Sequence, residues 1–387
     1  MTDILILGDT ETSPELRHEI PVHIGDPFLY AEIGDRRVAV VWSIEGDRIA
    51  VVDPSIELIP SETFPSDDLI RAGVDYYEIQ PTIFTRIVQS LGITRARVPR
   101  KFPLQHADAM RAAGIELVPD QRFFDDRRRR KTTAELEGIR RASRAAEAGM
   151  AAIAALLARS EPGDGGRTVE GEPLTCELLR EAATWAFAEA GARGDDLIVA
   201  HGAQAADGHH QGAGRVANDD HLVCDLFPQD TESSCFSDMT RTFVVGEPDP
   251  EIATWHAQTR DALELCRSQV RAGADGVGLF RAACRFYEEL GYPTNLSVPE
   301  GTVLREGFNH GLGHGVGLRV HEAPGLSKVG HELVEGDVIT LEPGLYRHGF
   351  GGVRLEDLVI VTTDGCETVT DYPYDLDPAA SVVETAR

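Results

Sequence analysis

Between Leu136 and Leu157 apolar residues return every three or four positions, at Leu136, Ile139, Ala146, Met150, Ile153 and Leu157. That period belongs to one face of a helix and predicts a long helix with a single buried stripe. Thr132 and Glu135 stand just ahead of it, spaced so that each side chain can bond the other's backbone N–H in a capping box. The same logic predicts helices over 173–190, 249–272 and 277–290; the second is opened by Asp-Pro and closed by Gly273. Apolar runs predict strands at 196–200, 221–227, 236–245, 337–342 and 353–362. Nearer the N-terminus, 4–7, 28–33, 37–42 and 48–52 read as strands, with Gly34-Asp35 and Glu45-Gly46-Asp47 as hairpin punctuation. Helices at 67–72, 82–91 and 104–113 and a short strand at 115–118 complete that part.

A chain of 387 residues exceeds one ordinary core, so two domains are expected. Residues 1–131 form a smaller mixed α/β domain in this reading. Residues 132–387, with helices first and strands gathering later, form an α+β domain. The segment 123–133 between them carries the one basic block of the chain, Arg127–Lys131 as RRRRK. Five positive charges in so acidic a chain make a poor phosphate footprint, so the block is read as a solvated linker paired with nearby carboxylates.

The formal net charge of −27 disfavours nucleic acid or an anionic membrane as partner. Of 37 basic residues only Lys101, Lys131 and Lys328 are lysine. Strong acidity with so little lysine reads as a halophilic surface, whose carboxylates hold water and counterions in molar salt. The six cysteines form no C-x-x-C pair and read as reduced thiols of a cytoplasmic protein. The N-terminus lacks a basic leader, and no uncharged apolar stretch is long enough to span a bilayer, so a soluble chain is expected.

Candidate chemistry centres on 309–324, NHGLGHGVGLRVHEAP, where His310, His314 and His321 alternate with Gly311, Gly313, Gly315 and Gly317. Each glycine costs a helix about 1 kcal/mol relative to alanine, so this stretch is extended or looped. Its missing side chains leave room for something to approach closely. Extended backbone would set His310 and His314 about 13 Å apart, enough to line one site but too far to share one metal ion. Acids stand at matching places elsewhere. Asp225 interrupts the apolar strand LVCDLF; Asp238 shares a strand face with Thr240 and Thr242, whose hydroxyls could support its carboxylate; Glu342 ends a strand; Glu356 shares a face with Arg354. Two Asp, two Glu and one His make a hard, oxygen-rich set with ligands enough for two divalent ions.

Four motifs, SDMTRTF at 237–243, the histidine stretch, Glu342-Pro343-Gly344 and GVRLED at 352–357, resemble those of the creatinase/methionine-aminopeptidase metallopeptidases, the M24 family. The form R-x-K-T-x-x-E-L at 129–136 resembles its proline-specific branch of Xaa-Pro aminopeptidases and Xaa-Pro dipeptidases, or prolidases. The resemblance implies a pita-bread catalytic domain that hydrolyses Xaa-Pro bonds in peptides or dipeptides. It further implies that Asp225, Asp238, His314, Glu342 and Glu356 bind two divalent ions, manganese or cobalt first and iron or zinc as alternatives. By the same resemblance Asp238 and Glu356 bridge the ions, His321, His209 and Glu342 are catalytic, and His310 and Arg354 contact substrate. The implied partner is a proline-containing peptide and the implied assembly a homodimer.

Asp225 and Asp238 stand thirteen positions apart, farther than is usual in the family, which makes the connecting hairpin longer and bulkier. The rival readings are a hydrolase or lyase of a small amide or osmolyte on the same fold, and a catalytically dead binding module. Both expect eroded metal ligands, and all five are present.

The charge yields a first prediction. Carboxylate self-repulsion is screened by salt, so the melting temperature should rise from low to molar salt. A flat profile across that range would reject the halophilic reading.

Overall fold

The alternating segments at the N-terminus assemble into a six-stranded mixed sheet in the computed structural model, which describes residues 2–194 and 196–382. The chain divides into two units, Met1–Arg128 and Arg129–Arg387. In the first, the strand order is Glu57–Pro60, Arg36–Val41, Phe28–Ile33, Asp3–Gly8, Arg95–Val98 and Glu116–Pro119. Leu5, Leu7, Leu29 and Val40 point from one face into a core shared with Ile87, Val88 and Met110. Ile4, Ile6, Phe28 and Tyr30 pack on the other face with Leu16 and Phe124.

One local reading fails here. Residues 48–52 are not a strand but the end of the helix Ser43–Val52, and Glu45-Gly46-Asp47 lie inside it. The cause is topological. The strands Arg36–Val41 and Glu57–Pro60 pair in parallel, and a parallel pair needs a crossover rather than a hairpin. That crossover overrides the β-propensity of Ile49, Val51 and Val52. Only Ile49 of this helix is buried.

The basic block is paired, as expected, but little of it is a solvated linker. Residues Gln121–Arg128 form a helix, in which Arg127 bonds Glu19 and Glu32 and Arg128 bonds Asp125. In the second unit, Arg129 clamps Asp337 at 2.6 Å, and Lys131 meets Glu322 at 2.5 Å with both side chains 2% exposed. Thr132 and Glu135 complete the capping box of the helix Thr133–Arg159.

That helix and Cys176–Glu189 pack on a three-stranded antiparallel sheet of Ile198–His201, Asp220–Leu226 and Met239–Val245. Ile153, Leu157, Leu179, Phe187, Val199, Leu222 and Phe243 are among the buried members of this core. The helices Pro250–Arg267 and Gly276–Glu289 share a second core with Ile339, Leu341, Val353 and Val359. There the five-stranded sheet runs Glu322–Leu326, Gly313–Gly315, Val338–Leu341, Asp357–Val361 and Cys366–Thr368. The expected strand at 353–362 is two strands, Gly351–Arg354 and Asp357–Val361, in different sheets. Leu355 and Glu356 are the crossing point, so Arg354 and Glu356 do not share a face of one strand. Among the described residues no helix is long and apolar enough to cross a membrane.

The two halves of this unit are stitched by Arg241, 1% exposed. Its guanidinium donates to the carbonyls of Thr240, Glu356, Tyr372 and Pro373 and to Asp357 Oδ1. Carbonyls on three segments are thereby satisfied by one buried cation, which fixes Glu356 beside the Met239–Val245 strand.

Removing one member of a buried ion pair leaves an uncompensated charge, at a cost of about 3–5 kcal/mol, whereas an apolar pair of similar volume can be neutral. Lys131→Met should therefore destabilise the protein by about that amount in denaturant titration, and Lys131→Met with Glu322→Leu should recover most of it. Equal loss in the single and double variants would contradict this account.

Candidate metal centre

The inner ends of these strands converge on a cavity of about 770 Å³ in the second unit. Its walls include every site residue singled out in the sequence: His209, Asp225, Asp238, His310, His314, His321, Glu342, Arg354 and Glu356. Asp225 lies opposite Thr240 in the sheet, and Asp238 immediately precedes that partner strand. Glu342 follows the strand Val338–Leu341, whose partner Asp357 follows Glu356. Two antiparallel pairings thus carry four carboxylates to one point.

His314 and His321 face one site despite their odd spacing because the chain bends back over 317–321, so that Gly313–Gly315 pairs antiparallel with Glu322–Leu326 across a register shift at His314/Gly315. Their rings lie 4.2 Å apart at 63°. The glycines of this stretch serve the chain's own packing rather than a ligand's approach. A Cβ at Gly313 would strike the Thr340 carbonyl, and one at Gly317 would sit 2.5 Å from Glu322 Oε1 and 2.9 Å from Lys131 Nζ.

The hydrogen bonds fix the histidine tautomers. His314 Nδ1 lies 3.2 Å from the Gly315 carbonyl, which can only accept, so Nδ1 carries the proton. Its Nε2 lone pair then faces Asp238 Oδ2 and Glu342 Oε1, each at 3.7 Å. Those gaps are too long for hydrogen bonds and suit an ion between the groups. His310 Nδ1 likewise donates to Gly311 O at 2.7 Å, and its Nε2 accepts from the Tyr346 hydroxyl at 2.9 Å. Arg354 donates to that hydroxyl at 3.1 Å, to Thr240 Oγ1 at 3.2 Å and to Asp225 Oδ2 at 2.7 Å. The Thr240 hydroxyl in turn donates to Glu356 Oε2 at 2.7 Å. The threonines therefore support Glu356 and the Arg354 backbone, not Asp238 as the strand-face argument expects.

Electrostatics inside the cavity favour a cation. Burial, followed by the charges of Glu356, Asp225 and Glu342, raises the Asp238 carboxyl well above its usual range. Glu356 is raised by burial, then by Glu342 and Asp225. Burial pushes Glu342 up to about 8, with Arg354 pulling it down and Asp225 pushing it further. His314 is held down to about 4 by burial and by His321, which keeps it neutral and able to ligate.

Three observations of the chain itself fit divalent metal. Asp238, His314 and Glu356 offer ligand atoms all within 4.8 Å of one another, the one such group among the described residues. Asp225 Oδ1 is buried and accepts no hydrogen bond. The donor set is four carboxylates and one imidazole, each carboxylate costly to bury without a counter-charge.

Sequence reasoning did not single out Tyr346, which links His310 to Arg354, or Asp196, Ile198, Asp207 and Val320 on the cavity wall. Alternation from Asp196 to Ile198 could have flagged that pair, because Ile198 lies opposite Asp225. Nothing in the sequence marks Tyr346, whose role arises from a contact across the sheet to Arg354.

Residues 137–363 match the model of metallopeptidase family M24. The chain is 34% identical over 182 residues to a probable dipeptidase PepE of Mycobacterium tuberculosis, covering 46% of this chain and 45% of that protein. It is 34% identical over 183 residues to an Xaa-Pro dipeptidase of Pyrococcus horikoshii, covering 47% and 48%. The aligned stretch thus spans about half the length of these relatives. An X-Pro aminopeptidase from Thermotoga maritima superposes with a TM-score of 0.74 at 22% identity, over 96% of each chain. That likeness shows the pita-bread fold.

Two measurements check the centre. Asp238→Asn and Glu356→Gln should each lose bound metal by elemental analysis while circular dichroism stays native; full metal content in both would remove them from the ligand set. Metal needs bare carboxylates, and Glu342 holds its proton below about pH 8 in the metal-free protein. Calorimetric loading should therefore release more protons at about pH 6 than at about pH 9, by the proton that Glu342 holds at the lower pH.

Proposed function

The chain belongs to metallopeptidase family M24, and from that membership we propose that it hydrolyses the bond between an N-terminal residue and proline, in Xaa-Pro dipeptides or at the start of longer peptides. The observation that carries this reading is the convergence of Asp225, Asp238, His314, Glu342 and Glu356 with His209, His310, His321 and Arg354 around one cavity. The similarity to the Xaa-Pro dipeptidase of Pyrococcus horikoshii supports the preference for proline.

In this reading Asp225, Asp238, His314, Glu342 and Glu356 hold two divalent ions, with manganese or cobalt best suited to so oxygen-rich a set. Bound there, the ions would make water a nucleophile at neutral pH and polarise the scissile carbonyl. The protein's own groups do the rest. Glu342 takes the proton of the attacking water at its carboxylate. His321, its pKa lowered by burial and by His209, stays neutral and offers an N–H to the developing oxyanion. The proton that Glu342 takes then passes to the leaving imino nitrogen, which cannot depart as an anion, with His209, exposed at the rim, as the relay. The chain Arg354–Tyr346–His310 orders the wall opposite and holds His310 in one tautomer.

His321→Ala should retain both metals and lower kcat and kcat/KM together by about 10²–10⁴-fold on an Xaa-Pro-Yaa peptide, with KM little changed. His314→Ala should lose metal affinity along with turnover. Should His321→Ala lose metal while His314→Ala keeps it, the two roles are reversed. Equal rates on Xaa-Pro-Yaa and Xaa-Ala-Yaa would sink the proline preference itself.

A further inference from the structure

We propose that the cavity selects peptides that continue beyond the proline and discriminates against free Xaa-Pro dipeptides, because it has no cation to spare for a carboxylate on the proline. The inference rests on the Xaa-Pro reading above and divides its two substrate classes.

In a free dipeptide the carboxylate carbon lies two bonds from the proline nitrogen, about 2.5 Å away by standard geometry. With the scissile bond at the centre, that carboxylate falls within the acidic cavity, at the atom from which a longer peptide would run on past the exposed Asp196 and Asp207. Among the described residues, Arg354 is the one arginine or lysine on the cavity wall. Its guanidinium is committed to Asp225, Tyr346 and Thr240, and its side chain is 5% exposed. Drawing it toward a substrate would break the bond to Asp225 and leave that carboxylate buried without its partner. His209, His310 and His321 can donate hydrogen bonds but carry no fixed charge.

The remaining charges on the wall have the wrong sign. Two divalent ions would balance the four ligand carboxylates, Asp225, Asp238, Glu342 and Glu356. Arg354 then offsets one of the two further acids, Asp196 and Asp207, and one negative charge is left over. Asp196 and Asp207 are exposed at the rim. Asp196 bonds Gln211, and Asp207 receives the backbone N–H of His209 at 3.4 Å, so both are held in place. A buried carboxylate without a counter-charge is strongly penalised, whereas the amide of a longer peptide carries no charge there. Phe227, Ile198 and Val320 supply the apolar part of the wall.

The test separates charge from length with four substrates on the metal-loaded wild-type protein: Ala-Pro, its amide Ala-Pro-NH2, Ala-Pro-Ala, and Ala-Ala-Ala as the non-proline control. The amide and the tripeptide should exceed the free dipeptide in kcat/KM by at least about tenfold, with the difference mainly in KM. Asp196→Lys, which puts a cation at the rim, should narrow the ratio between amide and free dipeptide. A wild-type dipeptide rate equal to or above that of its amide overturns the proposal and leaves the Xaa-Pro reading standing. A tripeptide cleaved well while the amide is as poor as the dipeptide assigns the preference to length and also overturns it. Turnover of Ala-Ala-Ala with none of the three proline substrates removes the Xaa-Pro reading, and the proposal with it.

Discussion

Four carboxylates in one largely buried cavity are the constraint to which the rest of the catalytic unit answers. Asp238 and Glu356 present oxygens within 4.8 Å of each other, where two full negative charges repel by roughly 3–4 kcal/mol at an effective dielectric near 20. Burial adds its own penalty, and the chain meets the two in different ways. Arg354 neutralises Asp225 directly, the carboxyls of Asp238, Glu342 and Glu356 are raised toward their neutral forms, and His314 stands neutral with its lone pair turned inward. Such a site is electrostatically incomplete, and divalent cations would complete it.

Holding like charges together requires rigid strand ends, and the second unit anchors them from outside the cavity. Arg129 and Lys131, two residues apart ahead of the first long helix, reach Asp337 and Glu322. Asp337 precedes the strand Val338–Leu341 that leads into Glu342, and Glu322 follows His321. The motif at 129–136 therefore has a physical role of its own: it caps a helix and pins two separate edges of the site. Arg241 does the same for Glu356 by gathering carbonyls from three segments. Each anchor is a buried cation whose loss would loosen the geometry without touching a ligand.

The site was more legible in the sequence than the fold around it. A carboxylate inside an apolar strand, as at Asp225, is costly enough to announce a partner, and glycines crowded around His314 exclude a helix. What stayed hidden depended on contacts between distant segments. The support of Glu356 by Thr240, the Tyr346 bridge and the break of 353–362 into two strands are all decided by which sheets meet. The helix Ser43–Val52 escaped for the same reason, because its β-branched residues favour a strand while the parallel pairing around it demands a crossover. Local propensity is outweighed where topology leaves no alternative.

The central claim is that these side chains form a two-ion centre, and the most direct measurement is titration of metal-free protein with manganese followed by electron paramagnetic resonance. The account predicts two ions bound per chain, with the exchange-coupled spectrum of neighbouring spins once both sites fill. Saturation at one ion per chain, or two ions with uncoupled spectra, would contradict it.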